Sequence, residues 1–190
     1  MMARRSFTSW LRRMCRADRG VAAVEFALVL PIMIFTYLGT LEASTLITMD
    51  RKVQSVAGAI GDLVARVDGT ITSSQLQDFF RAASGIMTPY DSGSVLQVVT
   101  AVRVNSDRST EVVWTRQYQN GVYSSSTPHT VGADFALPEA MIDISRGSTV
   151  IAAEASDTYT PLKGVVFDAP IKLYRASYFM PRFGNPIAIN

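Results

Sequence analysis

Glu25 is the residue with the clearest chemical potential, because it is the one charged residue in the stretch from Val21 to Leu41. The other side chains there are apolar, small or hydroxyl-bearing, and the length matches the roughly 20 residues that cross a bilayer as a helix. A carboxylate at such depth costs on the order of 2.5–3.5 kcal/mol on insertion scales, so it is usually retained for a specific partner. The alternative is that Glu25 lies near the membrane surface and extends its carboxylate into water.

The residues around Glu25 form a recognisable pattern, in which Gly20 is followed by four apolar residues and then by Glu25 and Phe26. This pattern resembles the type IV prepilin cleavage signature. The wider stretch Arg19–Pro31 is similar to the TadE family of pseudopilins from tight-adherence (Flp-type) pilus systems. The resemblance implies that a membrane aspartyl prepilin peptidase cuts between Gly20 and Val21 on the cytoplasmic side. Glu25 and Phe26 would then follow the new N-terminus closely and serve in assembly.

A new N-terminus at Val21 would give Glu25 a physical role. A free α-amino group ordinarily has a pKa of about 7.7–8.0 and is largely cationic near neutrality. At the end of an apolar helix this amine needs a counter-charge, which Glu25 of the same chain or of a neighbouring chain can supply. Such a pair is stable in a low-dielectric medium, whereas either charge alone is costly there.

The rest of the sequence offers little other chemistry. No nucleophile–base pair, C-x-x-C, H-x-x-x-H or phosphate-binding glycine loop is present. The one histidine, His129, lies in a polar loop and has no partner within reach in the sequence, and the one cysteine, Cys15, lies in the basic N-terminal tract. We therefore expect no catalytic residue, no cofactor and no metal site.

The charge of the chain is unevenly distributed. The net charge is +2, but residues 1–20 hold six arginines and one aspartate, so they carry +5 and the remainder carries −3. The basic character therefore belongs to the N-terminal leader and not to a nucleic-acid surface. A basic flank before a spanning helix stays in the cytoplasm, which places the residues after Met49 on the far side.

A second export route is compatible with the leader. Arg4-Arg5-Ser6-Phe7 resembles a twin-arginine signal, which directs folded proteins to export. No small-x-small cleavage site follows the apolar run between Tyr37 and Ser44, however, which disfavours a cleaved signal of that kind.

Hydrophobic periodicity predicts the elements that must position these residues. Apolar residues at spacings of three and four extend the membrane helix to about Val67. Ala57, Gly58 and Gly61 make one side of it small, which favours contact with the protein's own sheet over contact between subunits. Thr72 and Gln75 form a capping box that opens a short helix, and a single helical turn is expected over 138–144.

Alternation with a period of two predicts the strands. They are expected over 95–104, 111–118, 149–159 and 171–180, with a brief extension at 122–123 after a tight Asn120-Gly121 turn. The fold class is therefore α+β, with a long N-terminal hydrophobic, pilin-like helix packed on a small antiparallel β-sheet domain with one or two short helices.

These observations predict three segments: a basic cytoplasmic leader over 1–20, a transmembrane, pilin-like helix over 21–49, and an exported globular α+β domain over 50–190. The resemblance implies a minor pilin or pseudopilin of the bacterial inner membrane that takes part in adhesion and biofilm formation. Its partners would be the prepilin peptidase, other pilin and pseudopilin subunits, the inner-membrane assembly platform and the lipid bilayer. The alternatives are a membrane-anchored or twin-arginine-exported binding domain and, less favoured, an enzyme on a membrane stalk.

Overall fold

A computed structural model describes residues 18–161 and 167–190, with side chains from Val21 onward. The predicted leader up to Ala17, with Cys15 and the Arg4-Arg5 pair, lies outside the described residues. Residues 162–166, between the predicted strands 149–159 and 171–180, also lie outside them.

The described residues form a long first helix, a five-stranded sheet and short helices. The helices are α1 (Asp18–Ala65), α2 (Ser73–Ser84), which continues into a 3₁₀ turn at Gly85–Met87, and α3 (Glu139–Ile144). The strands are β1 (Thr70–Ile71), β2 (Leu96–Val104), β3 (Thr110–Gln119), β4 (Val122–Ser124), β5 (Thr149–Tyr159), β6 (Ile171–Phe179) and β7 (Ala188–Ile189).

The chain divides into two compact units. One contains α1 up to Ser44 together with Pro161 and residues 167–168, and the other comprises Thr45–Thr160 and Ala169–Asn190. The second unit is the strand domain. It holds the last 21 residues of α1 and all of the strands.

The sheet of the strand domain is antiparallel throughout, with the strand order β4-β3-β2-β5-β6. The C-terminal part of α1 and α2 pack against one face of it, so the predicted α+β class is confirmed. Asn120 and Gly121 both have positive φ, at 51° and 78°, as the predicted tight turn between β3 and β4 requires.

The main core lies between this face of the sheet and the helices. Val53, Val56, Ile60 and Val64 of α1 are fully buried, which confirms the helical stripe that the sequence predicts. Burial of each such side chain stabilises the fold by about 1.5–3 kcal/mol. From α2 and the sheet, Leu76, Phe80, Val99, Trp114 and Ile151 belong to the same cluster.

Gly61 lies in close contact with the sheet. A Cβ atom at this position would lie 2.5 Å from the Phe179 ring and 2.9 Å from the Cβ of Ala153. A Cβ at Gly58, by contrast, would meet nothing within 4 Å. The small face of α1 is thus used, at Gly61, for contact with the protein's own sheet.

Alanine at these two glycines should have opposite effects on stability. Gly61→Ala introduces an overpacking cost of about 1–3 kcal/mol, which exceeds the gain in helix propensity, whereas Gly58→Ala should raise the free energy of unfolding by about 0.5–1 kcal/mol. Denaturant unfolding of the full chain in detergent micelles, followed by tryptophan fluorescence, measures both. Equal changes in the free energy of unfolding for the two variants would contradict the close packing of Gly61 against the sheet.

The opposite face of the sheet carries a smaller core. Phe135 and Leu137, from the segment before α3, cover Val102, Val112 and Val150 there. The sequence predicts Val112 and Trp114 on one face, but the register shifts between Ala101 and Val102, opposite Val112–Trp114. This bulge in β3 turns Val112 to the smaller core while Trp114 stays in the main one, so the predicted alternation is wrong at this point.

Two further features concern the ends of elements. Thr72 caps α2 as predicted, because its hydroxyl accepts a hydrogen bond from the Gln75 amide at 3.2 Å. The C-terminal tail, which the sequence leaves without regular structure, contains β7, and β7 pairs in parallel with β1. The Trp114 indole N–H also donates to the Ile187 carbonyl at 2.6 Å, so the tail is part of the strand domain.

Candidate functional site

The predicted processing site lies at the beginning of α1. The helix starts at Asp18 and includes Gly20 and Val21, so the peptide bond between them is in its first turn. Val21 and Glu25 are separated by four positions, which places their side chains on the same face, about 5–6 Å apart at Cβ. The sequence predicts these residues as a functional unit, and the helix brings them together.

The helix surface around this site is apolar and exposed. Val21 and Phe26 are 46% and 59% exposed, and Glu25 is also exposed. Glu25 has no hydrogen-bond or ion-pair partner among the described residues. A carboxylate in such surroundings is available to a positively charged partner.

The exposed apolar surface continues along the first unit. An 18-residue window of α1 has a mean hydropathy of 2.2, and none of that window is buried. By length and composition this helix is a candidate membrane span, and the window lacks the burial of an ordinary core helix. Pro31 does not interrupt it.

Three polar side chains within this part of α1 have hydrogen-bond partners. The hydroxyl groups of Thr36 and Thr40 donate to the carbonyl oxygens of Ile32 and Thr36, both at 2.8 Å. Such bonds to the preceding turn satisfy a hydroxyl without water. Glu42 is buried at 6% exposure, and its Oε2 accepts a hydrogen bond from the Phe167 amide at 3.3 Å. Glu25 differs from these groups in having no hydrogen-bond or ion-pair partner among the described residues.

The strand domain contains one further polar cluster, around Glu154. Its carboxylate is 8% exposed and accepts hydrogen bonds at both oxygens, one from His129 at 2.5 Å and one from the Tyr174 hydroxyl. His129 also lies against the Phe135 ring, with ring centroids 4.8 Å apart. The expectation of an unpartnered His129 is therefore wrong, since the fold brings β5 beneath its loop.

Sequence reasoning missed this cluster because its members are far apart in the chain. One signal was present, since Glu154 occupies an inward position of a strand, where a carboxylate must find donors. Burial and the hydrogen bond to Glu154 raise the pKa of Tyr174, so its hydroxyl remains a donor. A cavity of about 180 Å³ adjoins the three residues. Both carboxylate oxygens are already occupied, so we assign the cluster a structural role, joining the loop of His129 to the sheet.

Removal of the Tyr174 hydroxyl should show how much its hydrogen bond to Glu154 contributes to the free energy of unfolding. Tyr174→Phe removes one hydrogen bond to a largely buried carboxylate and should lower the free energy of unfolding by about 1.5 kcal/mol. Tyr178→Phe is the matched control, because Tyr178 lies on the same strand and the same face. Its hydroxyl has no hydrogen bond within the described part of the chain. Chemical denaturation of both full-length variants tests this, and equal losses would contradict the assignment.

Among residues 18–161 and 167–190, no group of three or more histidine, cysteine, aspartate or glutamate side chains could hold a metal ion. The scattered aspartates of the strand domain are used in ion pairs and turns. Asp62 binds Arg66 and, at 2.6 Å, Arg182. These two arginines hold the pKa of the Asp62 carboxyl below its usual value.

Among the comparisons with known proteins, one gives a match, and that match lies in the N-terminal part of the chain. No curated protein and no solved structure matches the chain. Residues 20–60 match the family model described as TadE-like protein, and this stretch contains Gly20, Val21, Glu25 and Phe26. The resemblance seen in the sequence is thereby confirmed over this range. Over this stretch, 41 of the 190 residues, the chain is therefore similar to the TadE-like family of pseudopilins, which is associated with tight-adherence pili.

Proposed function

We propose that this chain is a minor pilin, or pseudopilin, of the TadE-like kind. Prepilin peptidase removes residues 1–20, and the product acts as a structural or priming subunit in the assembly of a tight-adherence pilus. The family match supports the association with the pilus. The observation that carries the finer proposal is the position of Glu25, one helical turn from Val21 on an exposed apolar helix.

Cleavage creates the charge that Glu25 neutralises. Cutting before Val21 produces an ammonium group at the first residue of the helix, where the exposed backbone N–H groups already add positive charge. In the membrane, this charge is stable only beside an anion. Glu25 is the one anion of the apolar run, and it pairs with the amine of its own chain or of a neighbouring subunit during assembly.

This proposal assigns a location to each segment of the chain. Residues 1–20 are the cytoplasmic leader, residues 21–49 the transmembrane segment, and residues 50–190 the exported domain on the periplasmic side. The peptidase and the assembly platform meet the chain at the inner membrane, and other pilin subunits pack against its apolar helix.

Mass spectrometry of the exported form tests the proposal directly. The chain is purified from the membrane of a cell that contains its pilus system, and its N-terminus is determined. An N-terminus at Val21 is the expected result. An intact leader would overturn the proposal in favour of an anchored binding domain, and a cut near Ser44 would overturn it in favour of a cleaved export signal.

A further inference from the structure

The two edges of the five-stranded sheet differ in how their backbone groups are used. At one edge, β4 pairs with residues 117–119 of β3. Further along β3, the amide of Val112 donates to the Ala133 carbonyl at 2.9 Å, and the amide of Gly132 donates to the Val112 carbonyl at 2.8 Å. Two separate segments therefore cover the outer side of β3.

The other edge is formed by β6. Residues Ile171–Phe179 pair with Tyr159–Ile151 of β5 in one uninterrupted register. No backbone hydrogen bond reaches the outer side of β6 from any part of the chain that the structure describes. The strand contains no proline, glycine or bulge. A long, regular edge with unpaired N–H and C=O groups is a template for a strand of another chain.

The charges of β6 restrict which strand can bind. Lys172 and Arg175 are exposed, and β6 contains no acidic residue. Arg175 is paired with Asp50 at 2.5 Å, whereas Lys172 has no ion pair within the described residues. A second copy of β6, paired antiparallel over its full length, would place Arg175 opposite Arg175. Like charges in that position are destabilising, so a different, acidic strand is favoured.

We propose that β6 is the docking edge for an extended segment of a different protein, which adds as a sixth strand and places an acidic residue opposite Lys172. Main-chain hydrogen bonds supply the affinity, as in other cases of strand addition. Tyr174 and Tyr178 lie on the same face as Lys172 and favour aromatic or β-branched residues in the partner. Docking at β6 involves the strand domain alone and does not depend on cleavage at Gly20.

Zero-length cross-linking with a carbodiimide tests the contact at Lys172. The full chain is treated in membranes of a cell that contains its pilus system, and the products are mapped by mass spectrometry. The expected product is an amide between the Nζ of Lys172 and an aspartate or glutamate of another protein. Lys172→Arg should abolish this product while the two proteins still co-purify. Lys172→Glu should weaken co-purification at least about tenfold, because it sets two anions against each other.

Hydrogen exchange of β6 supplies the second measurement. Peptides covering 171–179 should be protected in native membranes and exchange faster in the purified chain in detergent. The proposal would be overturned if Lys172 formed cross-links only within its own chain or to an isotopically distinguished second copy. Equal hydrogen exchange of β6 in native membranes and in detergent would overturn it as well. Protection restored by lipid vesicles containing the purified chain alone would also overturn it, in favour of a lipid contact.

Discussion

Replacing Gly20 by leucine is expected to leave the chain in the membrane with its leader attached. A protease must bring the backbone of the scissile bond close to its catalytic groups, and glycine presents no Cβ at that point. A leucine side chain introduces a clash of about 1–3 kcal/mol, which slows cleavage by about fivefold to 150-fold. Electrophoretic mobility and the mass of the membrane-bound form, followed after a pulse of synthesis, measure this effect.

The matched control is Gly20→Ala, which adds a single methyl group and should reduce the rate of processing less than leucine does. Insertion should be unaffected in both variants, because leucine and alanine are both apolar and the span from Val21 is unchanged. Normal removal of residues 1–20 from the Gly20→Leu chain would argue against prepilin peptidase as the processing enzyme.

Most of the regular structure could be predicted because it is encoded by local periodicity. The stripe of Val53, Val56 and Ile60 specifies a helix that continues out of the apolar run, and α1 ends at Ala65, two residues before the predicted limit. Strand β5 has the predicted bounds of Thr149 and Tyr159, because its β-branched and small residues are bounded by Gly147 and Pro161.

The features that escaped prediction depend on contacts between distant parts of the chain. The pairing of β1 with β7 joins two-residue segments that are more than 100 positions apart, and neither segment is long enough to show a period. The bulge at Val113 is fixed by the register with β2, which a single strand does not reveal. The partner of His129 is likewise set by tertiary packing, although the inward position of Glu154 indicated that donors were needed.

The grouping of the proposed site residues could be predicted for a different reason. Gly20, Val21 and Glu25 lie within six residues of each other, so helix geometry alone places the carboxylate one turn from Val21, the proposed new N-terminus. The proposed docking edge at β6 could not be foreseen in this way. An edge is defined only once the strand order is known.

Glu25→Ala is expected to abolish pilus assembly while leaving insertion and processing intact. The variant removes a carboxylate that costs on the order of 2.5–3.5 kcal/mol to insert, so the helix should enter the membrane at least as well as before. The amine of Val21 then has no counter-charge, and stranding one partner of a buried pair costs about 3–5 kcal/mol. That loss corresponds to a drop in subunit association on the order of 10²–10³-fold or more.

Sheared surface pili, counted in cells whose only copy is the variant, measure assembly, and the mass of the membrane form measures processing. Val24→Ala is the matched control, since it changes the neighbouring residue of the same turn without altering charge, and it should assemble normally. Normal piliation with Glu25→Ala would contradict the pairing with the amine. Glu25→Ala should make insertion into the membrane more favourable and assembly less favourable. In a simple membrane anchor, removal of the charge would only make insertion more favourable. A helix that inserts more easily and yet fails to assemble has retained its carboxylate for a partner that cleavage creates.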